Sequence, residues 1–452
     1  MGNSCLKMLG GVAFLAVVWV LLGSQFPDAA LAQDAHLDPK LGLVSDLAKG
    51  TKRYLVILVN FPGVQPRQPL EEVRPRAANK VDQWYRAASF GQTGFAATVK
   101  GPYTLPEPLE TYKVAPYNFQ VDSRRVYKLV RDALSLAEED GVAINSFDVV
   151  AVIHRCTTMP GRGYGMICYC ANPGMLSKVR SGRAAYVPIS TRKGTVFQKG
   201  VVVMAENFHL GFLVHDLAHA IGGVYRGQRL VVDLYDFEVQ SQPRQVFRIH
   251  DAALYLGPWD IMSQHFREQG QPAPGFSLFT KMRLGYIRPE QVALVRLAPL
   301  AQGGPLLGVK IPLASRRCLL VENRQPLKLD RVLPASGIMI YEVDESREEG
   351  TGQVQAKNAD PSAPNFSRAP FGVEGQARLA FVDRKADVAV VPIIRQGNDY
   401  VVLVTGASQA EAAQKIAGNL ERLKGSPALQ QKLPQVLQLL KAGKVGEAGN
   451  LL

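Results

Sequence analysis

The sequence predicts an α/β or α+β core, a β-rich C-terminal part and a terminal helical hairpin. Three observations carry that expectation. Two mostly apolar runs, Tyr54 to Asn60 and Phe147 to Ile153, have the texture of strands buried on both faces. Between them, Val121 to Asp140 sets Val126, Leu129, Val130, Ala133 and Leu134 at helical spacing. From about Leu306 the texture changes to short β-rich pieces. Strand, helix, strand in that order gives an α/β core.

Composition narrows the class. The 452 residues are 47% hydrophobic and 20% charged, which excludes a disordered or fibrous chain. The 41 glycines and 29 prolines are too few for low complexity. The length allows two or three domains. A net charge of +13 raises nucleic acid or an anionic surface as partner. Lys and Arg are dispersed, however, with no run of five or more like charges, so no nucleic-acid partner is expected.

Lys7 precedes an uncharged apolar run from Met8 to Gly23, and Ala30-Leu31-Ala32 follows. That order reads as a signal peptide over residues 1–32. The run is shorter than the roughly 18 residues a span requires. A secreted or periplasmic chain with no stable membrane span after cleavage is therefore expected. Such a chain keeps Cys156, Cys168, Cys170 and Cys318, and export permits disulfides. Cys168 and Cys170 are one residue apart and are not expected to pair with each other; Cys156 with one of them is the plausible bridge. The cysteine spacing does not suit a zinc knuckle.

The expected organisation is a linker or pro-segment remnant over 33–51, a first domain over 52–305, a β-rich domain over 306–405 and a hairpin over 406–452. Within the first domain, Asn79 to Ala88 favours helix and Phe95 to Val99 a strand. Residues 200–221 read as helix. The β-rich part offers strands at Cys318 to Glu322, Gly337 to Val343, Ala377 to Val382, Val388 to Ile394 and Tyr400 to Val404. Glu348 to Gln376 is rich in Gly, Pro, Ser and Asn and reads as a mobile loop. In the hairpin, Ser408 and Glu411 form a capping box. Gly425-Ser426-Pro427 then stops one helix and starts the next.

The chemistry lies in Leu213-Val214-His215-Asp216-Leu217-Ala218-His219-Ala220-Ile221-Gly222. On a helix, His215 and His219 project from one face toward the same point. Two neutral imidazoles at that spacing suit Zn²⁺, with a third ligand from elsewhere and a position left for water. The residue after the first His is where a zinc peptidase keeps its general base. Here it is Asp216, one methylene shorter than the usual Glu. A pair of histidines on an apolar helix also occurs by chance, but buried imidazoles need partners and a metal is one.

At this point the chain resembles the immune inhibitor A family of secreted zinc metallopeptidases, which implies a zincin-like core. In that family a Gly and then Pro-Asp-x-Tyr-Asp follow the helix. Gly222 matches, and Asp233-Leu234-Tyr235-Asp236 resembles the second part. The resemblance implies Asp233 as third ligand, although Gly223 to Val232 intervene where the family has two residues; Asp236 and Glu238 are the fallbacks. Gly257 to Ser263 resembles the family's Trp-Asp-x-Met segment, which implies Met262 as floor of the metal site. Phe279 to Ile287, Leu319 to Gln325, Leu333 to Tyr341, Phe61-Pro62, Ser89-Phe90-Gly91 and Gly101-Pro102-Tyr103 extend the likeness over about 52–345.

The leading expectation is a zinc metalloendopeptidase acting on a protein or peptide substrate as a monomer. His215, His219 and Asp233 would hold Zn²⁺, and Asp216 would be the general base. His154, Tyr164 or Tyr225 could assist the oxyanion, with nothing to choose among them, and His209 is expected to stay outside the site. The rival class is a pseudoprotease that keeps the fold and the metal and binds without cleaving. Asp216 separates the two.

Overall fold

The computed structural model describes residues 37–38, 41–112, 122–157, 168–241, 249–265, 270–287, 296–297, 300–373 and 379–452. Residues 1–32, expected to be a signal peptide, and Tyr164 lie outside the described residues. In chain order the first part contains β1 (Gly50–Asn60), α1 (Leu70–Ala77), α2 (Asn79–Ala88), β2 (Thr93–Thr104), α3 (Ser123–Glu139), β3 (Val149–His154), β4 (Cys168–Asn172), β5 (Gly200–Ala205) and α4 (Leu210–Gly222). The second contains β6 (Arg296–Leu297), β7 (Gly308–Ala314), β8 (Arg317–Arg324), β9 (Gly337–Asp344), β10 (Val354–Lys357), β11 (Phe381–Asp383), β12 (Val388–Gln396) and β13 (Asp399–Thr405). Three helices follow: α5 (Ala410–Arg422), α6 (Pro427–Lys441) and α7 (Val445–Asn450).

The fold is mixed α+β. A five-stranded sheet has the order β2-β1-β3-β5-β4, parallel except for β4, which runs antiparallel to β5 at one edge. Side chains alternate between its faces with period two. Tyr54, Val56, Leu58, Ala151, Ile153, Val202 and Met204 meet α4 and α2 on one side. Leu55, Ile57, Val59, Val150, Val152, Val201 and Val203 meet α3 on the other. Both faces are dry, which is why these strands carry unbroken apolar runs.

Residues 200–205 form a strand, not the first turns of a helix. Val201, Val202 and Val203 are β-branched and stiff at χ1, and they pair with β3 and β4 on either side. The turn at residues 206–209 separates strand from helix, and His209 caps α4 by accepting the Gly211 N–H at 2.9 Å.

The β-rich part is two antiparallel four-stranded sheets, β7-β8-β9-β10 and β6-β13-β12-β11. They face each other across Val309, Leu319, Val321, Ile338, Ile340, Val390 and Val402. The opposite face of the first sheet, through Cys318, Leu320, Met339, Tyr341 and Val343, joins the core that backs α4. Glu348 to Gln376 is not one long loop. Within it Val354–Lys357 pairs with β9, and Ile338 and Phe371 exchange backbone hydrogen bonds.

The terminal hairpin is three helices packed on the outer face of β12 and β13, through Ile416, Leu420, Val436, Leu440 and Val445. The capping box expected at Ser408 does not form: Ala407–Gln409 is a 3₁₀ turn and the α5 cap, Gln409, makes no side-chain cap bond. Ser426 does cap α6, accepting the Leu429 N–H at 3.3 Å, with Pro427 in the first turn. Among the described residues no helix is long and apolar enough to cross a membrane.

Candidate metal centre

The apolar residues of α4 point it into the core, and the same burial fixes its histidines. Leu213, Val214, Leu217 and Ala218 are fully buried, and His215 and His219 are 2% and 1% exposed. Being one turn apart, the two rings share a face, with Nε2 atoms 3.1 Å from each other. Each Nδ1 is spent on the backbone: His215 donates to Ile261 O at 3.0 Å and His219 to Val231 O at 2.8 Å. Carbonyl oxygens only accept, so each Nδ1 carries the hydrogen and each Nε2 presents a lone pair.

Asp233 reaches these lone pairs. The ten residues after Gly222 loop out as a two-stranded hairpin, Val224–Tyr225 against Gln228–Arg229, and return along the end of α4. The return passes so close that a Cβ on Gly222 would lie 2.6 Å from Val231 Cγ2. Asp233 Oδ1 then stands 2.9 Å from His215 Nε2 and 3.0 Å from His219 Nε2. Neither fallback takes part. Asp236 caps a short helix through Val239 N and accepts from Tyr255 at 2.6 Å, and Glu238 is exposed.

Three acceptors therefore face one another at about hydrogen-bond distance with too few protons among them. Burial pushes the pKa of His219 down to about 4, so that ring is neutral. Burial also opposes charge on His215, but the hydrogen bond and charge of Asp233, the charge of Asp216 and the Ile261 carbonyl together outweigh it and raise the pKa. One added proton satisfies only part of such a cluster, whereas a divalent cation satisfies all three. Two imidazoles and a carboxylate converging in this way, with each ring's other nitrogen held by a carbonyl, suit a metal ion chemically. Two groups have ligand atoms close enough together to hold one: His215, Asp216 and His219, and the overlapping His219, Asp233 and Glu349.

Asp216 lies at the same place. Its carboxylate and the ligand atoms of His215 and His219 are all within 4.8 Å of one another. The Cys170 backbone N–H, on the edge strand β4, hydrogen-bonds to it, while burial pushes its pKa up to about 7. A cavity of about 410 Å³ opens beside it, lined among others by Tyr169, Cys170, His219, Asp233 and Tyr235.

The turn Trp259 to Ser263 supports this arrangement through its backbone. Ile261 O holds His215, and Met262 O accepts the Leu234 N–H at 2.9 Å. Met262 itself is fully buried in the core shared with α4. Asp260 ties the turn down, accepting from Met262 N, Ser277 and Thr280.

Of the expected oxyanion helpers, Tyr164 lies outside the described residues, and His154 and Tyr225 stand away from the site. His154 faces the α3 side of the sheet, against Phe61, because it keeps step with Val150 and Val152. Tyr225 sits in the hairpin under Arg226. Tyr235, two residues after Asp233, lines the cavity instead and stacks beside His215 at 6.1 Å between ring centroids. His209, the α4 cap, bonds Gln271 O at 2.7 Å and stays outside. His265 packs its ring on His215 at 4.0 Å, a contact that no spacing in the sequence signals.

The expected disulfide is absent: Cys156, Cys170 and Cys318 are free. Cys156 and Cys170 belong to cores on opposite faces of the sheet and cannot meet. Set beside known proteins, the chain matches no family model and no curated protein.

Proposed function

We propose that the chain is an exported zinc-dependent endopeptidase with a zincin-like core. His215, His219 and Asp233 would hold the ion, and Asp216 would act as general base. The observation that carries this is the convergence of three lone pairs beside a buried carboxylate and an open cavity. When bound, zinc supplies Lewis-acid chemistry, lowering the pKa of water toward about 7 and polarising a carbonyl. Two imidazoles and one carboxylate leave the fourth position that such chemistry needs.

Asp216 then has a defined task. With a pKa near 7 it accepts the proton of the attacking water at one carboxylate oxygen and passes it to the departing amine. The Cys170 N–H holds that carboxylate toward the cavity. Tyr235 lines the cavity and donates its hydroxyl hydrogen to Asp233, which helps to hold the carboxylate that would bind the ion.

A second reading, a metal-holding peptide binder without turnover, draws on one observation. The Cys170 hydrogen bond already engages the shorter Asp216 carboxylate, and a misplacement of about 1 Å can cost on the order of 100-fold in rate.

The test is cleavage of unfolded casein by residues 33–452 in zinc, beside Asp216→Glu and His219→Ala. Chelator-sensitive cleavage by the native chain, lost in His219→Ala, is the expected result. Activity seen only in Asp216→Glu would select the binder. Silence from every version would remove support for a peptidase.

A further inference from the structure

We infer that Glu349 and Arg229 form a clasp that positions Asp233, so that the loop between β9 and β10 completes the metal centre. The inference rests on the metal-site reading above. Asp233 Oδ1 faces the histidines, while Oδ2 accepts from Arg229 Nη2 at 2.6 Å. Glu349 holds the other side of the same guanidinium through Nε at 3.2 Å and through Nη2. It also accepts the Asp233 backbone N–H at 2.7 Å. One carboxylate thus fixes both the main chain of the ligand and the arginine that orients its side chain. The three side chains are 5%, 7% and 9% exposed, so water does not replace these bonds at low cost.

The arrangement has an electrostatic consequence. Arg229 alone would place a buried positive charge within one residue's reach of a bound cation and would neutralise the ligand carboxylate. Glu349 compensates the guanidinium, which leaves the charge of Asp233 for the ion. The loop is held for this role by a second contact. Phe237 N donates to Gly350 O at 3.1 Å, and a Cβ on Gly350 would lie 2.2 Å from the Phe237 ring. The pair spans 116 positions of sequence between Asp233 and Glu349. Glu349 is a positioning residue, acting on the ion through Asp233.

The experiment uses cobalt(II) alone as probe, added to the full chain and followed by chelator competition and by its visible absorption. Removing a partner that orients a ligand typically weakens metal binding by about 10- to 100-fold. That loss is expected for Glu349→Ala, with a smaller loss for Glu349→Gln, which keeps an acceptor for the Asp233 N–H. The absorption bands should shift in both. Glu342→Gln, which removes the β9 partner of Arg317 and Lys357, is expected to bind like the native chain. Native affinity and an unchanged spectrum in both Glu349 variants would overturn the clasp, as would an equal loss in Glu342→Gln. Should Glu349→Ala fail to fold, the near-isosteric Glu349→Gln decides by the same criteria. No cobalt bound by the native chain would overturn the metal-site reading itself and the clasp with it.

Discussion

His154 is fully buried at the end of β3, and among the described residues neither ring nitrogen has a hydrogen-bond partner. Burial pushes its pKa down to about 4 from an ordinary 6.5. Between pH 6.5 and 4 the unfolded chain binds more protons at this residue, so the native state loses stability as pH falls through that window. Replacing the ring by His154→Phe removes both an unpaired polar group and this acid-side loss. An increase of about 1 to 3 kcal/mol is expected. Denaturant unfolding at pH 7 and pH 4.5 should show the gap between variant and native chain widening at the lower pH. An equal or reversed gap would show that the imidazole is satisfied in the native state. At this scale His215 and His219 were legible in the sequence because a spacing of one turn puts both on one helix face, and Asp216 because it holds the motif position after the first His. Arg229, Glu349 and His265 were not, since their contacts depend on how distant segments pack, and no local pattern encodes that.

Elements differ in the same way. β1, β2, β3 and α3 announce themselves by apolar or alternating runs and helical spacing, and they lie within a few residues of their expected bounds, whereas β4 carried no expectation. β5 was hidden by the helix that follows it, because an apolar run carries no period that separates a buried strand from a buried helix. β10 was hidden by the polar loop around it. The hairpin that follows α4 decides whether Asp233 reaches the histidines, and it rests on Gly222. Gly222→Ala should push Val231 away and carry Asp233 with it, at a cost of about 1 to 3 kcal/mol. Thermal melting should show the loss, and metal affinity should fall in parallel. A variant that melts lower yet binds metal normally would separate the hairpin's packing from the site. On α6, Ser426→Ala should cost about 1 kcal/mol by loss of the cap, read from the same melts. An unchanged melt would mean that solvent caps the helix equally well.

For the molecule as a whole, the core behind the candidate metal centre continues into the first antiparallel sheet. Arg324 is the buried link: it donates to Glu322 at 2.9 Å, to both oxygens of Asp330 at 2.9 Å and to Trp259 O at 2.7 Å. Glu322 in turn accepts from Tyr341 and from Leu278 N. Arg324→Ala would leave two buried carboxylates without their cation, a loss of about 3 to 5 kcal/mol. Denaturant unfolding should show it, and a change below about 1 kcal/mol would mean that solvent reaches the network. The sequence marks a change of texture near Leu306, but not that β8 and β9 share the core of α4 or that a loop from the second part reaches Asp233. Contacts of this kind are set by packing of whole sheets. The measurement that bears most directly on the metal centre is the zinc X-ray absorption spectrum of the purified chain. The expected result is one zinc per chain with nitrogen and oxygen neighbours at about 2.0 to 2.2 Å, lost in His215→Ala. A chain without zinc, or zinc with sulfur neighbours near 2.3 Å, would contradict a centre built from His215, His219 and Asp233.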